Sequence, residues 1–164
     1  MMDMADKEQT PGERSQKDSR MAFFIMPTVL LKSLRQHAGH VLKEAEVRKL
    51  LYDCGLDCGR IMVKKMDIST EDQVDVGDTI TALWIEIGLG RLQVKSSEEG
   101  ELVVVCDDST EAVANGHTGK MICDLTRGYL VGIASTLTGY GWDCTETACL
   151  SHGEGECTYV LKAK

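Results

Sequence analysis

MICDLTRGYLVGIASTLT, residues 121–138, is the stretch whose reading decides the fold. Ile122, Leu125, Tyr129, Ile133 and Leu137 recur at steps of three and four, so the spacing predicts one amphipathic helix from Met121 to Thr138. Gly128 and Gly132 bare the backbone on one of its faces, which lets another element approach closely. Tight packing is the plain reading of that pair, with a dimer contact or a ligand floor as alternatives.

Outward from this helix the pattern changes period. Arg91 to Lys95, a Ser-Ser-Glu-Glu-Gly turn and Glu101 to Cys106 read as a β-hairpin, with β-branched Val103, Val104 and Val105 in its second strand. Gly141 to Thr147 and Cys157 to Leu161 read as two closing strands. Upstream, Leu34, Val41, Leu42, Val47, Leu50 and Leu51 have mostly helical spacing, with an interruption at Gly39 and a break at Gly55 or Gly59. Further helical pieces are expected over Arg60 to Met66 and from a Ser69/Asp72 cap through a pause at Gly77 to Ile87, ended by Gly88 and Gly90. The fold class is α+β: N-terminal helices, then an antiparallel sheet with one long helix inserted before its last two strands.

The chain has 164 residues, enough for one domain with a sizeable core. Residues 1–20 are polar and mixed in charge, and are read as a disordered tail ahead of a domain over 21–164. They lack the apolar segment of a signal peptide, and the longest apolar run, Met21 to Leu31, is too short to span a bilayer. A cytoplasmic location is the expectation. The net charge of -8, with no Lys or Arg from Ser96 to Thr118, disfavours nucleic-acid binding by this chain alone. Glu98, Glu99, Glu101, Asp107, Asp108 and Glu111 in that stretch are read as a solvated acidic face.

Seven cysteines in a reducing compartment point to metal binding or redox chemistry more than to a disulfide framework. Cys123, Glu146, Cys149 and Cys157 form the constellation that carries chemistry. Thiolates suit a borderline-soft zinc ion, a carboxylate completes a tetrahedron, and four protein donors leave no open position, so the site would be structural. Glu146 and Cys149 face opposite sides of a continuous strand, so the chain must leave the strand between them. The competing reading is a set of buried small hydrophobes, and His152 is a rival for one ligand position.

Ile122-Cys123-Asp124-Leu125-Thr126-Arg127-Gly128-Tyr129-Leu130-Val131-Gly132-Ile133, Glu146-Thr147-Ala148-Cys149 and Gly153-Glu154-Gly155-Glu156-Cys157 resemble the four-vinyl-reductase, or hydrocarbon-binding, domain family. The resemblance is specific over 119–161 and extends upstream through Leu51-Tyr52-Asp53-Cys54-Gly55 and Gly88-Leu89-Gly90-Arg91. It implies a stand-alone small prokaryotic member with an apolar ligand pocket between sheet and helices, frequent homodimers, and a zinc held by three cysteines and a glutamate, matching the four residues above one for one. Trp84, Ile133, Leu137 and Cys144 are the candidate pocket walls, each also readable as plain core. The residues with which the phenol sensors of this kind hold their ligand have no clear counterparts in Leu92, Val94, Leu102 or Val103 to Val105, so phenol specificity is not expected.

The function expected from these readings is a sensor or carrier domain for an apolar small molecule, with a separate effector protein reading its state. The alternative is a thiol redox sensor using cysteines outside the zinc set (Cys54, Cys58 and Cys106) or within it. Catalysis is disfavoured: Gly88-Leu89-Gly90 precedes a strand and lacks a third glycine, and Gly119-Lys120 is followed by Met121 where a phosphate loop needs Ser or Thr.

Overall fold

The computed structural model describes residues 25–66, 68 and 75–164. Helices α1 (Val29–Ala38), α2 (Glu44–Lys65) and α3 (Val76–Ile87) come first, followed by the hairpin β1 (Leu92–Glu98) and β2 (Glu101–Cys106). A short α4 (Thr110–Asn115), the long α5 (Asp124–Thr138), β3 (Trp142–Ala148) and β4 (Cys157–Ala163) complete the chain. The four strands form one antiparallel sheet in the order β1-β2-β4-β3, so the expected α+β architecture is the one observed.

The register aligns the inward-facing side chains in rows across the sheet. Val104 pairs with Tyr159, which pairs with Glu146; Leu102 pairs with Leu161, which pairs with Cys144. All six are buried, and α5 lays Leu130, Ile133, Ala134 and Leu137 into the same core. Trp142, Cys144 and Glu146 share the buried face of β3, as strand parity requires.

The other side of α5 meets α2, and here backbone touches backbone. A Cβ added at Gly55 or Gly128 would overlap the carbonyl oxygen of Leu125 or Tyr52, and one at Gly59 would stand 2.5 Å from the Tyr129 oxygen. This corrects the expectation of a helix break at Gly55 or Gly59. Both lie inside an unbroken α2, because packing against the Gly128/Gly132 face outweighs the roughly 1 kcal/mol that each glycine costs a helix interior.

Other boundaries shift for local reasons. The Ser69/Asp72 cap falls outside the described residues; α3 is capped instead by Asp75, whose side chain accepts from the Asp78 amide at 2.9 Å, and Gly77 causes no pause. Gly88 closes α3 in the left-handed conformation (φ 70°). Strand β1 continues through Ser96 to Glu98, so the hairpin turn is Glu99-Gly100, with Gly100 at φ 77°. The long helix begins at Asp124, not Met121, with Cys123 as its N-cap. The short α4 lies in the stretch read only as acidic surface, and it buries Glu111 to 2% exposure, against that reading. Among the described residues, no helix is long and apolar enough to cross a membrane.

Candidate metal centre

Three elements bring Cys123, Glu146, Cys149 and Cys157 together. Cys123 caps α5, Glu146 projects from β3 opposite Tyr159, and Cys157 opens β4. The register slips between Glu146 and Ala148, which is the departure from the strand needed to turn Cys149 toward the same point. Cys149 is then held in a tight loop: its carbonyl accepts from the amides of His152, Gly153 and Glu154, and its own amide donates to Glu154 Oε2 at 3.0 Å. Gly153, at φ 125°, supplies a conformation closed to other residues.

The resulting donors are buried and converge. Their ligand atoms lie within 4.8 Å of one another, and the three sulfurs are 3.8, 3.8 and 3.9 Å apart, far beyond the roughly 2.05 Å of a disulfide. All seven cysteines are free thiols. Glu146 accepts from the Cys123 amide through Oε2 at 3.1 Å, while Oε1 is buried with no donor among the described residues. A buried acceptor is nearly always partnered, and an oxygen left open toward three thiols is the arrangement a cation would complete.

Electrostatics point the same way. Burial, with Cys149 beside it, pushes the Glu146 carboxyl up to about 8. Hydrogen bonds to Cys149 and Cys157, with burial behind them, drive the Cys123 thiol well above its ordinary range. The Cys157 thiol is pulled down to about 3 by its contacts with Cys123 and Cys149. The protein alone thus supports one thiolate among protonated neighbours; full ionisation of such a set requires a compensating cation. The four residues fit a metal ion. His152, the rival ligand, turns away and pairs with Glu154 on the surface at 2.6 Å.

Around this cluster is a charged hub that composition and spacing did not reveal. Asp124, fully buried, accepts from Arg35 (3.0 Å), Arg48 (3.1 Å) and Arg127 (2.7 Å). Glu111 accepts from the amides of Leu125 and Thr126 and from Thr126 Oγ1, which satisfies the open start of α5, and it pairs with Arg35 at 3.2 Å. Arg35 also donates to the Ile122 carbonyl, so one side chain of α1 grips the residues on both sides of Cys123. An acidic residue directly after a helix-capping cysteine is a readable signal for Asp124; nothing local announces Arg35, 89 residues away.

The candidate pocket residues Trp84, Ile133, Leu137 and Cys144 all fall in the one buried core. Trp84 is 1% exposed, and its ring meets that of Tyr129 edge-on with centroids 6.1 Å apart. Its indole N–H has no acceptor among the described residues, whereas that of Trp142 donates to Thr138 Oγ1 at 2.9 Å. Of the redox candidates, Cys54 is exposed and Cys58 half-buried, while Cys106 is buried and its thiol is pushed up to about 12 by desolvation. Cys144 is raised to about 12 by the same cause.

Residues 102–163 match the family model of the vinyl-4-reductase (V-4-R) domain. Two uncharacterized proteins of Methanocaldococcus jannaschii are similar: MJ0855, 28% identical over 85% of this chain and 56% of that protein, and MJ0150, 20% identical over 84% and 76%. The chain thus spans a little over half the length of the first. Among solved structures, the phenol-responsive sensory domain of the transcription activator PoxR, in complex with phenol, superposes with a TM-score of 0.77 at 20% identity, covering 86% of this chain and 76% of that domain. A trafficking protein particle complex subunit 3 from Naegleria fowleri, covalently bound to palmitic acid, gives 0.68 at 15% identity over 84% and 92%. A vinyl-4-reductase family protein from Methanocaldococcus jannaschii gives 0.58 at 12% over 87% and 84%. At these identities the superpositions establish the fold. Over residues 102–163, from β2 to β4 and including all four donors of the cluster, the chain belongs to the vinyl-4-reductase domain family.

Proposed function

We propose that this chain is a sensor or carrier domain for an apolar small molecule, with one structural zinc ion holding its C-terminal lobe. The observation that carries the ligand reading is the Trp84 indole N–H, sealed in an apolar core without an acceptor among the described residues. Such a donor costs about 1–3 kcal/mol if left unmet, so its partner is expected to be a hydrogen-bond acceptor on an otherwise apolar guest. Two proteins of the same fold, the PoxR sensory domain and the trafficking subunit, hold phenol and palmitic acid respectively, which agrees in kind. Ile133, Leu137 and Cys144 would line the remainder of that space.

For the metal, thiolates at about 2.3 Å from a tetrahedral zinc ion stand about 3.8 Å apart, the spacing of the three sulfurs. Cys123, Glu146, Cys149 and Cys157 would fill all four positions, so the ion would supply cross-linking between α5 and the β3–β4 hairpin and no reaction. A homodimer fits α1, which buries none of its residues within the chain and leaves Val29 and Leu34 about half exposed. A separate effector protein would then read the state of the dimer in the cytoplasm.

Thiol redox sensing is the second reading, favoured by the exposed Cys54 alone; the raised thiols of Cys106 and Cys144 are poor nucleophiles. Thermal shift with a panel of phenols, fatty acids and aromatic ketones, on wild type and Trp84→Phe, separates the two. A ligand that stabilises wild type and binds the variant about tenfold more weakly supports the sensor. No stabilisation by any compound, with reversible loss of free Cys54 under mild peroxide, replaces it with the redox reading.

A further inference from the structure

The chain carries a net charge of -8, yet one cleft gathers cations. Between the middle of α2, the first turn of α5 and β3 lies an open cavity of about 380 Å³ lined by Arg48, Lys49, Tyr52, Arg127, Asp143 and Cys144. It shares Arg48 and Arg127 with the hub behind it, where the guanidiniums of Arg35, Arg48 and Arg127 face only the carboxylates of Asp124 and Glu111 among the described residues. Three positive charges against two negative ones leave one uncompensated. The rim does not cancel it: Lys49 pairs with Asp53, and Asp143 pairs with Lys164 at 2.8 Å.

Arg127 is the pivotal group. Its Nη2 donates to Asp124 and its Nη1 to the Cys144 carbonyl at 3.2 Å, and its guanidinium lies 5.5 Å from the centre of the Tyr52 ring. Its Nε is buried and has no acceptor among the described residues. A guanidinium so fixed is pre-organised, and an arriving anion would not have to order it.

We propose that this cleft binds a small oxyanion, a carboxylate or phosphate group, through the cations of Arg48, Lys49 and Arg127 with Tyr52 as its wall. The site is separate from the indole of Trp84 and stands whether or not an apolar guest binds there. One oxyanion would neutralise the uncompensated charge. It would do so next to Cys144 and Asp124, on the element that also bears Cys123.

The test is a titration of the full chain, metal content held constant, with inorganic phosphate, benzoate and octanoate, read by backbone amide shifts in NMR. All three are expected to move the amides of Lys49, Tyr52, Arg127 and Cys144, with dissociation constants on the order of 1 mM for phosphate. Lys49→Glu leaves the buried hub untouched and should weaken binding at least about tenfold, whereas Lys162→Glu, the same charge change at the far end of β4, should not. Tighter binding of octanoate than phosphate identifies the source as the head group of an apolar acid; tighter phosphate identifies a free or phosphorylated anion. No localised shifts at about 20 mM, or equal weakening by both charge reversals, overturns the proposal.

Discussion

Replacing Gly128 with Ala is the sharpest test of how this domain is held together. Taken alone, Gly→Ala in a helix interior stabilises by about 1 kcal/mol. At Gly128 a Cβ would overlap the Tyr52 carbonyl oxygen and lie 2.8 Å from the Leu56 nitrogen, against an ordinary contact of 3.4 Å or more. Both obstacles are backbone of α2, so no rotamer change can relieve them, and the helices must part by roughly 1 Å. A gap of that size along the interface between α2 and α5 forfeits a quarter to a half of each contact it opens, and overpacking of this type costs about 1–3 kcal/mol or more. Net destabilisation of about 2–3 kcal/mol corresponds, for a domain of this length, to a melting temperature lower by roughly 4–12 °C. Gly155→Ala is the control, because nothing lies within 4 Å of its Cβ position. Thermal denaturation by circular dichroism, at fixed zinc and reductant, measures both. A Gly128→Ala protein melting at or above wild type would show that the helices do not meet as described.

The remaining predictions concern charge and metal. Zinc content of protein purified under reducing conditions should be one per chain and fall below about a tenth of that in Cys149→Ser, with melting lower by roughly 10 °C; equal metal in both proteins would remove the site. Burial pushes the Glu111 carboxyl from its ordinary value up to about 7, against the pull of the Thr126 amide and Arg35. Between about 4.5 and 7 the unfolded chain has released this proton and the folded one retains it, so wild-type stability should decline as pH rises through that window, by about 3 kcal/mol from this group. Denaturant melts of Glu111→Gln should show that decline removed, and parallel curves for the two proteins would refute the assignment. Arg35→Ala leaves Asp124 and Glu111 buried with one cation fewer and should cost about 3 kcal/mol, with faster hydrogen exchange across α1; unchanged exchange there would mean that Arg35 does not hold the helix.

How much of this is legible in the sequence depends on whether the cause is local. The long helix, the hairpin and the two closing strands follow from periodicity, and the Gly128/Gly132 face is readable because a pair of glycines four apart has few other uses. Its partner face is not: Gly55 and Gly59 look like breakers until the opposing backbone is in place, since the packing that rescues them comes from more than 60 residues away. The four metal donors are legible because thiols and a carboxylate in a short span are chemically distinctive. Glu111 is hidden, because within an acidic run nothing marks the one carboxylate that turns inward to cap α5. Arg35 and Arg48 carry no local mark either, and only the fold brings them to Asp124.

The residues from Ile122 to Gly128 explain why these features belong to one device. The Ile122 carbonyl is held by Arg35 of α1; Cys123 gives its sulfur to the cluster and its amide to Glu146 of β3. Asp124 binds α1 and α2 through their arginines, Leu125 and Thr126 bind α4 through Glu111, and Gly128 abuts the backbone of α2. Tyr129, the next residue, meets the ring of Trp84 on α3. A guest at Trp84, an anion at Arg127 and a metal at Cys123 would therefore all act on the first two turns of α5. Coupling between sites requires an element that each of them biases, and α5 is that element. Its motion would reach α1 through a single arginine, and α1, with no buried residue of its own, is the part of the domain with least to resist it.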